Sequence, residues 1–370
     1  MEGRTLDIMK RNLKRRYAAE RRFRLYGLAS IVMALLFMLM LFTAIIGAGH
    51  SAFVQTAIKL QIHLIDDAFP ASPDGDDAYM TADYTGMIKQ ALRSQFPEVT
   101  SRGDKRALYR LISPGAGYSL RDHVLEDTKL VGSTIDIWLP ADDDVDMFVK
   151  GHFDEQESPS GRLSGIQAGW IAELQQQGRI ATHLNTTFLT AGDSREPELS
   201  GIRGALVGSF LTLLVTLVLS FPIGVGAAIY LEEFAPRNRW TDLIEVNVNN
   251  LAAVPSIVFG LLGLAVFINF FGVPRSAPLA GGLVLTLMTL PTIIISSRAI
   301  LKAVPPSIRE AALGVGASKV QMVFHHVVPQ ALPGMLTGTI IGMGQALGES
   351  APLLMIGMVA FIVDIPGGIL

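Results

Sequence analysis

Long apolar stretches place the strictest limit on what this 370-residue chain can fold into. Residues 28–46, LASIVMALLFMLMLFTAII, carry no charge and are long enough to cross a bilayer as one helix. A signal peptide has a shorter apolar core, so we interpret residues 28–47 as a membrane anchor. Further apolar stretches lie near residues 204–231, 251–271, 279–301 and 334–360. Together they predict an all-α polytopic membrane protein.

Charged residues are distributed unevenly around these spans. The arm of residues 1–27 carries nine Lys/Arg and three acids, which predicts a cytoplasmic N-terminus because basic residues concentrate on that side. Residues 48–200 carry 13 Lys/Arg and 23 acids and are too polar to span. We therefore expect residues 48–203 to lie on the opposite side of the membrane, and the loops 232–250 and 305–333 to be cytoplasmic.

The polar segment 48–200 is long enough for a domain of its own, and its pattern predicts a small α+β fold. Amphipathic patches predict helices near residues 51–65, 84–95 and 163–178. The alternating run TIDIWLP at 134–140 predicts a strand. The aspartates that follow it (Asp142, Asp143, Asp144 and Asp146) lack the full calcium-loop pattern, so we interpret them as a solvated turn.

Several classes of active site are missing from the sequence. The chain has no cysteine, which excludes a zinc–thiolate site and a cysteine nucleophile. It also lacks a GxxxxGK[ST] phosphate-binding loop and an HExxH helix. His325 and His326 are adjacent and so point to different helix faces, which favours a surface role over a metal site. We expect no enzymatic activity, and no metal or cofactor, in this chain.

Residues 305–334 join the last two predicted spans and carry the most specific local pattern in the chain. Pro305 and Pro306 are expected to end the preceding helix, because proline lacks the N–H donor that an interior turn needs. Ser307 and Glu310 have the spacing of a capping box, in which each side chain binds the backbone of the other residue. This spacing predicts a short helix.

A second short helix is predicted to follow after a glycine-containing turn. Gly314 and Gly316 supply a permissive backbone for the turn, and Ser318 and Gln321 repeat the capping-box spacing. Pro329 is expected to end this helix. Its apolar residues share one face: Val320, Val323, Phe324, Val327 and Val328. The prediction is a pair of short helices outside the bilayer.

This loop resembles the EAA motif of ABC-transporter permeases, which reads Glu-Ala-Ala, three residues, Gly, nine residues, then Ile-x-Leu-Pro. The matching residues are Glu310, Ala311, Ala312, Gly316 and Pro329. Val328 is a conservative replacement at the Leu position, whereas His326 at the Ile position departs from the motif. The resemblance implies that the loop is a coupling helix that docks on a separate ATPase subunit. An ordinary cytoplasmic helical hairpin is the alternative.

The resemblance extends to phosphate-importer permeases of the Pst system, PstA type, over roughly residues 204–360. The stretches that carry it are 221–267, LPTIIISSRAILKAVPPSIREAA at 290–312 and QALGESAPLLMIG at 345–357. It implies a type I ABC importer permease (MetI-like) core. The implied partners are a PstC-like permease, a PstB-like ATPase dimer that holds ATP and magnesium, and a periplasmic PstS-like phosphate-binding protein. The segment 48–200 resembles an N-terminal extension of some phosphate permeases. The resemblance implies a bacterial inner membrane, with residues 48–203 in the periplasm.

The expected function is therefore that of the transmembrane permease subunit of an ATP-driven inorganic phosphate importer. Permeases for sulfate, molybdate and phosphonate share the loop, so another oxyanion is the first alternative. A membrane sensor with an external domain would explain only the first half of the chain. A secondary transporter would need no ATPase partner and would leave the loop unexplained.

Two charged residues within the predicted spans are candidates for function, because ionisable groups in a bilayer are costly. Arg298 lies late in the fourth span and Glu349 lies well inside the fifth. The resemblance implies that both line the translocation path. The guanidinium of Arg298 offers paired donors that suit phosphate oxygens, and Glu349 would then belong to the gate. Alternatively, Arg298 extends to the membrane interface.

The C-terminal end departs from the resembled family. Its members carry a further span after the segment that corresponds to residues 348–352, GESAP. We therefore expect that a final span is missing from this sequence.

Overall fold

Two compact units, Met1–Thr186 and Thr187–Leu370, make up the chain. The computed structural model describes residues 2–65, 79–152 and 163–358, together with Phe69 and Gly368. The elements of the first unit are α1 (Glu2–Gly49), β1 (Val54–His63), α2 (Tyr84–Gln95), α3 (Arg102–Tyr109), α4 (Ala116–Glu126), β2 (Thr134–Pro140), α5 (Asp143–Val149), α6 (Gly165–Gln176) and β3 (Ile180–Leu184). A short helix, α7 (Thr186–Thr190), follows in sequence.

Helix α1 continues from the basic arm through the first apolar stretch without a break. The helical stretch Arg15–Phe53, which begins in α1 and ends just after it, is long and apolar enough to cross a membrane. The hydroxyls of Ser30 and Thr43 donate to the carbonyls of Tyr26 and Met40, each at 2.9 Å. These bonds satisfy the polar groups within the helix, as an apolar surrounding requires.

A three-stranded antiparallel sheet in the order β2-β1-β3 organises the rest of the first unit. Ile58, Leu60 and Ile62 of β1 share one face and are buried in the core with residues of α2, α4 and α6. The predicted α+β character, the strand at 134–140 and the helix at 84–95 are confirmed. The third predicted helix, near 163–178, is present as α6.

The helix predicted near residues 51–65 is wrong, because Val54–His63 is the central strand. Apolar and β-branched residues occupy alternate positions of VQTAIKLQIH, from Val54 through Thr56 and Ile58 to Ile62. That period of two puts them on one face of a strand. The burial alternates accordingly along most of the strand.

The aspartates after β2 form the start of α5. Asp142 caps this helix by accepting from the amide of Asp144 at 3.2 Å. Asp146 accepts from the amide of Thr56 at 2.8 Å and forms an ion pair with Lys150. Negative charge is favourable at the N-terminus of a helix, where free N–H groups collect. These contacts give the acidic run a structural role at a helix end.

Helices are the only regular elements of the second unit among its described residues. Its elements are α8 (Arg203–Ile229), a π-turn (Tyr230–Phe234), α9 (Arg239–Ala252), α10 (Ser256–Gly263) with a π-turn (Leu264–Phe270), α11 (Pro278–Ala303), α12 (Pro306–Gly314), α13 (Lys319–Met322), a π-turn (Val323–Val327), α14 (Val328–Gly348) and α15 (Ala351–Met355).

Two helical segments of this unit, Arg203–Phe234 and Pro278–Ala303, are long and apolar enough to cross a membrane. The stretch predicted as one span over 251–271 is instead part of a bent pair. Its two helices, Arg239–Ala252 and Ser256–Phe270, meet at an angle of 103°. Pro255 stands at the break, where its missing N–H prevents a continuous helix.

The region of the last predicted span, 334–360, is also interrupted. Helix α14 starts earlier, at Val328, and ends at Gly348; α15 resumes at Ala351. Pro352 lies in the first turn of α15 and cannot donate to the carbonyl of Gly348, so the first helix stops there. Residues 359 and 360 lie outside the part of the chain that the structure describes.

Small residues allow α8 and α11 to pack closely. A Cβ on Gly282 of α11 would lie 2.5 Å from Cγ1 of Val215, and one on Gly224 of α8 would lie 2.7 Å from Cγ2 of Ile293. Both glycines are buried. Contacts of this kind let helix backbones approach within a bilayer, where apolar burial alone does not drive association. Helices α8 and α11 therefore form a closely packed pair, and residues 312–327 pack against it.

Candidate functional site

The segment 306–328, here called the hairpin, contains the predicted coupling residues. Its first helix, α12, begins directly after Pro305, and Pro306 occupies its first turn. Proline suits that position, because the N–H it lacks would have had no partner in the helix. The predicted capping box of Ser307 and Glu310 is wrong: the N-cap is Pro305, and no side chain caps the helix.

The turn of the hairpin follows the prediction. Helix α12 ends at Gly314, and Gly316 adopts a φ of +91°, a left-handed conformation that side chains with a Cβ rarely adopt. The amide of Ala317 donates to the carbonyl of Ala312 at 3.1 Å, which closes the end of α12. Gly316 is therefore required by the backbone geometry of the turn.

The second capping box is confirmed. The amide of Gln321 donates to Oγ of Ser318 at 3.3 Å, and the amide of Ser318 donates to Oε1 of Gln321 at 2.9 Å. Pro329, however, does not end the helix. The π-turn Val323–Val327 leads directly into α14, and Pro329 lies in the first turn of that helix. The wider ring of a π-turn changes the hydrogen-bond register just before the proline, which lets the helical path continue.

One side of the hairpin is fixed to the unit and the other is exposed. Ala312, Met322, Val323 and Val327 are buried with residues of α8 and α11. Four large apolar side chains of the hairpin are exposed: Leu313, Val315, Val320 and Phe324, with Val315 84% exposed. The predicted five-residue stripe is thus divided between the core and the surface. Glu310, Ala311 and Gly316 are also exposed.

Ion pairs attach the hairpin to the ends of α8 and α11. Arg309 of α12 donates to Oε1 of Glu233 from Nη2 at 2.7 Å and from Nε at 3.2 Å. It also donates to the carbonyls of Val304 and Leu301, at 2.7 and 2.8 Å. The side chain of Glu233 is only 6% exposed.

A second group of ion pairs surrounds Arg298. Its Nη2 donates to Glu245 of α9 at 2.9 Å, and its Nε lies 3.4 Å from Glu232. Lys302 lies 3.7 Å from the same oxygen of Glu232. We call the six residues of both groups the ionic junction: Glu232, Glu233, Glu245, Arg298, Lys302 and Arg309.

The structure does not bring the two predicted path residues together. Among the hydrogen bonds and ion pairs of the described residues, none joins Arg298 to Glu349. Glu349 lies between α14 and α15 in an extended conformation, and its amide donates to Ala346 at 3.4 Å. The side chain of Arg298 is 12% exposed and bound to carboxylates.

Sequence reasoning missed most of the ionic junction. Glu232 and Glu233 form an acidic pair at the end of the span near 204–231, and Arg309 directly precedes the Glu-Ala-Ala triplet. The sequence analysis places these positions only within the predicted loops 232–250 and 305–333 and gives them no partners. The available signal was the placement of opposite charges at helix ends, where paired side chains can bind free backbone groups.

Comparison with known proteins follows the division into two units. Residues 220–366 match the family model described as binding-protein-dependent transport system inner membrane component. Residues 10–158 match a separate model, a domain of unknown function, DUF3333. The chain is a multi-pass membrane protein, with apolar helices in both units.

Curated relatives of this chain are transport permeases. The probable ABC transporter permease protein YqgI of Bacillus subtilis is 35% identical over 52% of this chain and 64% of its own length. Phosphate transport system permease protein PstC 2 of Mycobacterium tuberculosis is 34% identical over 48% of this chain and 62% of its own. Phosphate transport system permease protein PstA of Mycobacterium leprae is 35% identical over 46% and 55%. The chain thus spans between about half and two thirds of these relatives.

Among solved structures, the inward-facing MetNI methionine ABC transporter is similar with a TM-score of 0.38 and 22% identity, over 42% of this chain and 74% of that one. An amino acid ABC transporter solved with histidines has a TM-score of 0.35 and 23% identity, over 42% and 71%.

The left-handed backbone of Gly316 generates a first prediction. Gly316→Ala forces a Cβ into that conformation, at a cost of about 1–2 kcal/mol. Amides of residues 307–322 should therefore exchange with deuterium about 5- to 30-fold faster, because local opening becomes easier by that amount. Gly314→Ala is the matched control: Gly314 is helical, and its Cβ would meet nothing within 4 Å. Equal exchange in both variants would contradict the prediction.

Proposed function

We propose that this chain is the transmembrane permease subunit of an ATP-driven importer of inorganic phosphate. The single observation that carries the proposal is the hairpin, whose turn requires Gly316 and whose exposed side presents Glu310, Ala311 and apolar residues. Relatives named as phosphate permeases support the choice of substrate. Both PstA and PstC proteins match at similar identity, and we assign the PstA type from the stretches quoted above.

The exposed apolar side chains of the hairpin are the proposed docking surface for a partner ATPase. Val315 at the turn and Leu313 on α12 are 84% and 50% exposed. Removal of such side chains from water stabilises an interface by about 25 cal/mol for each Å² of apolar surface. The partner is a dimer of PstB-like subunits that holds ATP and magnesium. This chain itself forms and breaks no covalent bond.

The proposed topology places the polar segments of the chain on opposite sides of the membrane. The arm 1–27 and the hairpin are cytoplasmic, where ATP is found, and residues 48–203 are periplasmic. A homologous PstC-like permease completes the pathway, and a PstS-like binding protein delivers phosphate from the periplasm. ATP binding closes the ATPase dimer, which displaces the hairpin and shifts the spans around the pathway; hydrolysis then resets them.

Arg298 and Glu349 are the proposed residues of the translocation path. In this conformation Arg298 is bound by Glu232 and Glu245, so an anion must replace a carboxylate to reach the guanidinium. Glu245 is the candidate for release, because its side chain is 39% exposed while that of Glu232 is 19% exposed. Glu349 stands at the break between α14 and α15, where a helix can bend.

The direct test is uptake of labelled phosphate by cells that lack the gene, with unlabelled sulfate in excess. Wild type should restore uptake. The uptake rate with Val315→Asp should be lower than that with wild type by a factor of about ten or more, because a carboxylate buried at the interface has no partner. Less ATPase should also copurify with that variant.

Ile166→Asp is the control, since it places the same charge at a residue of α6 that is 55% exposed. It should support normal uptake. Inhibition of wild-type uptake by sulfate would contradict phosphate as substrate, and normal uptake by Val315→Asp would contradict the docking surface.

A second prediction concerns Arg298 and its exposed partner. Glu245→Gln removes the competing carboxylate and should lower the dissociation constant for phosphate about two- to fivefold, the effect of a partly exposed ion pair. Arg298→Leu should abolish binding. Both are measured by equilibrium dialysis of the permease–ATPase complex without the binding protein.

Asp242→Asn is the matched control, because it neutralises an exposed acid on the same helix, α9. Phosphate affinity that is unchanged by Glu245→Gln, or retained by Arg298→Leu, would show that Arg298 serves the structure and not the anion.

A further inference from the structure

Arg309 uses its guanidinium to join three separate elements. Two nitrogens bind Glu233, which lies in the π-turn after α8. Two nitrogens bind the carbonyls of Leu301 and Val304 at the end of α11. The side chain itself belongs to α12, the first helix of the hairpin. One residue of the hairpin thus contacts the C-terminal end of α11 and the turn directly after α8. We call these the inner ends of the two helices, because they are cytoplasmic in the proposed topology.

The end of α11 explains why an arginine fits here. The last carbonyls of a helix have no partner within it, and cationic side chains close to them are favourable. A guanidinium has five donors in a planar fork, so it can bind two carbonyls and a carboxylate together. A lysine at position 309 would offer one charged group and could not reproduce this geometry.

The π-turn Tyr230–Phe234 directs neighbouring glutamates to different partners. Glu232 binds Arg298 and approaches Lys302, both on α11, whereas Glu233 binds Arg309 on α12. Glu245 extends the first group to α9. The end of α8 is thereby linked to α9, α11 and α12 by charged hydrogen bonds, which are the stronger kind.

Apolar packing alone holds α12 weakly. Of its nine residues only Ala312 is buried, with Ile308 partly buried beside it. The side chain of Glu233, in contrast, is almost fully removed from water. Loss of Arg309 would leave its carboxylate buried without a partner, which is strongly destabilising. The position of α12 relative to α8 and α11 therefore depends strongly on the pair Arg309–Glu233.

We propose that Arg309 and Glu233 are positioning residues that make α12 move together with the inner ends of α8 and α11. This inference rests on the proposed function, in which an ATPase displaces the hairpin. Without the ion pair of Arg309 and Glu233, the ATPase would still displace the hairpin. The helices of the pathway would follow that displacement only in part. Hydrolysis would then continue with little transport.

The first experiment measures ATP hydrolysis and phosphate uptake by the complete complex in proteoliposomes. Arg309→Gln should leave hydrolysis and ATPase copurification within about twofold of wild type and lower the phosphate transported per ATP by about tenfold. Glu233→Gln should have the same type of effect, and the double variant should be no worse than Arg309→Gln, because both changes remove one interaction. Arg309→Lys should be intermediate and replaces Arg309→Gln if that chain cannot be recovered.

Arg237→Gln is the matched control, since it removes an exposed arginine from the loop before α9 and should keep the wild-type ratio. Additive losses in the double variant, or a parallel fall in hydrolysis and uptake at a constant ratio, would overturn the proposal.

The second experiment does not depend on the substrate. Because the chain has no cysteine, spin labels can be placed at Ser307→Cys on α12, outside the proposed docking surface, and at Val218→Cys on α8; both positions are exposed. In the complex, the distance between the labels should have one narrow distribution with and without ATP, and Arg309→Gln should broaden it. A narrow distribution in Arg309→Gln would overturn the proposal. If wild type transports no phosphate, the proposed function fails, and this distance still decides the role of Arg309.

Discussion

Pairing of charges at the C-terminal ends of α8 and α11 is the constraint on which the arrangement of the second unit depends. Glu233 can be almost fully desolvated only because Arg309 is bound to it. The same arginine occupies the free carbonyls at the end of α11, so the helix end and the hairpin are held together. Close contacts at glycines hold α8 and α11 together, and the paired charges lie near the ends of these two helices.

Local patterns predicted local structure well. The capping box of Ser318 and Gln321, the turn at Gly316 and the strand 134–140 were each specified by residues a few positions apart. The predicted capping box of Ser307 is absent because Pro305 and Pro306 determine where α12 begins. The prediction that Pro329 ends the second short helix was wrong because a π-turn directly precedes the proline. The central strand 54–63 was mistaken for a helix although its period of two was present.

Contacts between distant parts of the sequence could not be predicted in this way. Arg309 and Glu233 are 76 positions apart, and Arg298 and Glu245 are 53 apart. Nothing in the sequence near Arg298 indicates carboxylate partners, and its assignment to the translocation path comes from the resemblance to phosphate permeases. The structure adds that any anion must compete with Glu245. The proposed importer therefore combines two uses of arginine: Arg309 as a fixed link and Arg298 as a group with an exchangeable partner.

The most direct test of the central claim is the protection of the hairpin by its ATPase partner. Val315→Cys provides a single reactive thiol at a residue that is 84% exposed, in a chain without other cysteines. In detergent, maleimide labelling of this thiol should be at least about tenfold slower in the complex with the ATPase than in the permease without it, because burial restricts access. Tyr118→Cys, in the first unit, should label equally in both preparations. Equal labelling of Val315→Cys with and without the ATPase would contradict the coupling role of the hairpin.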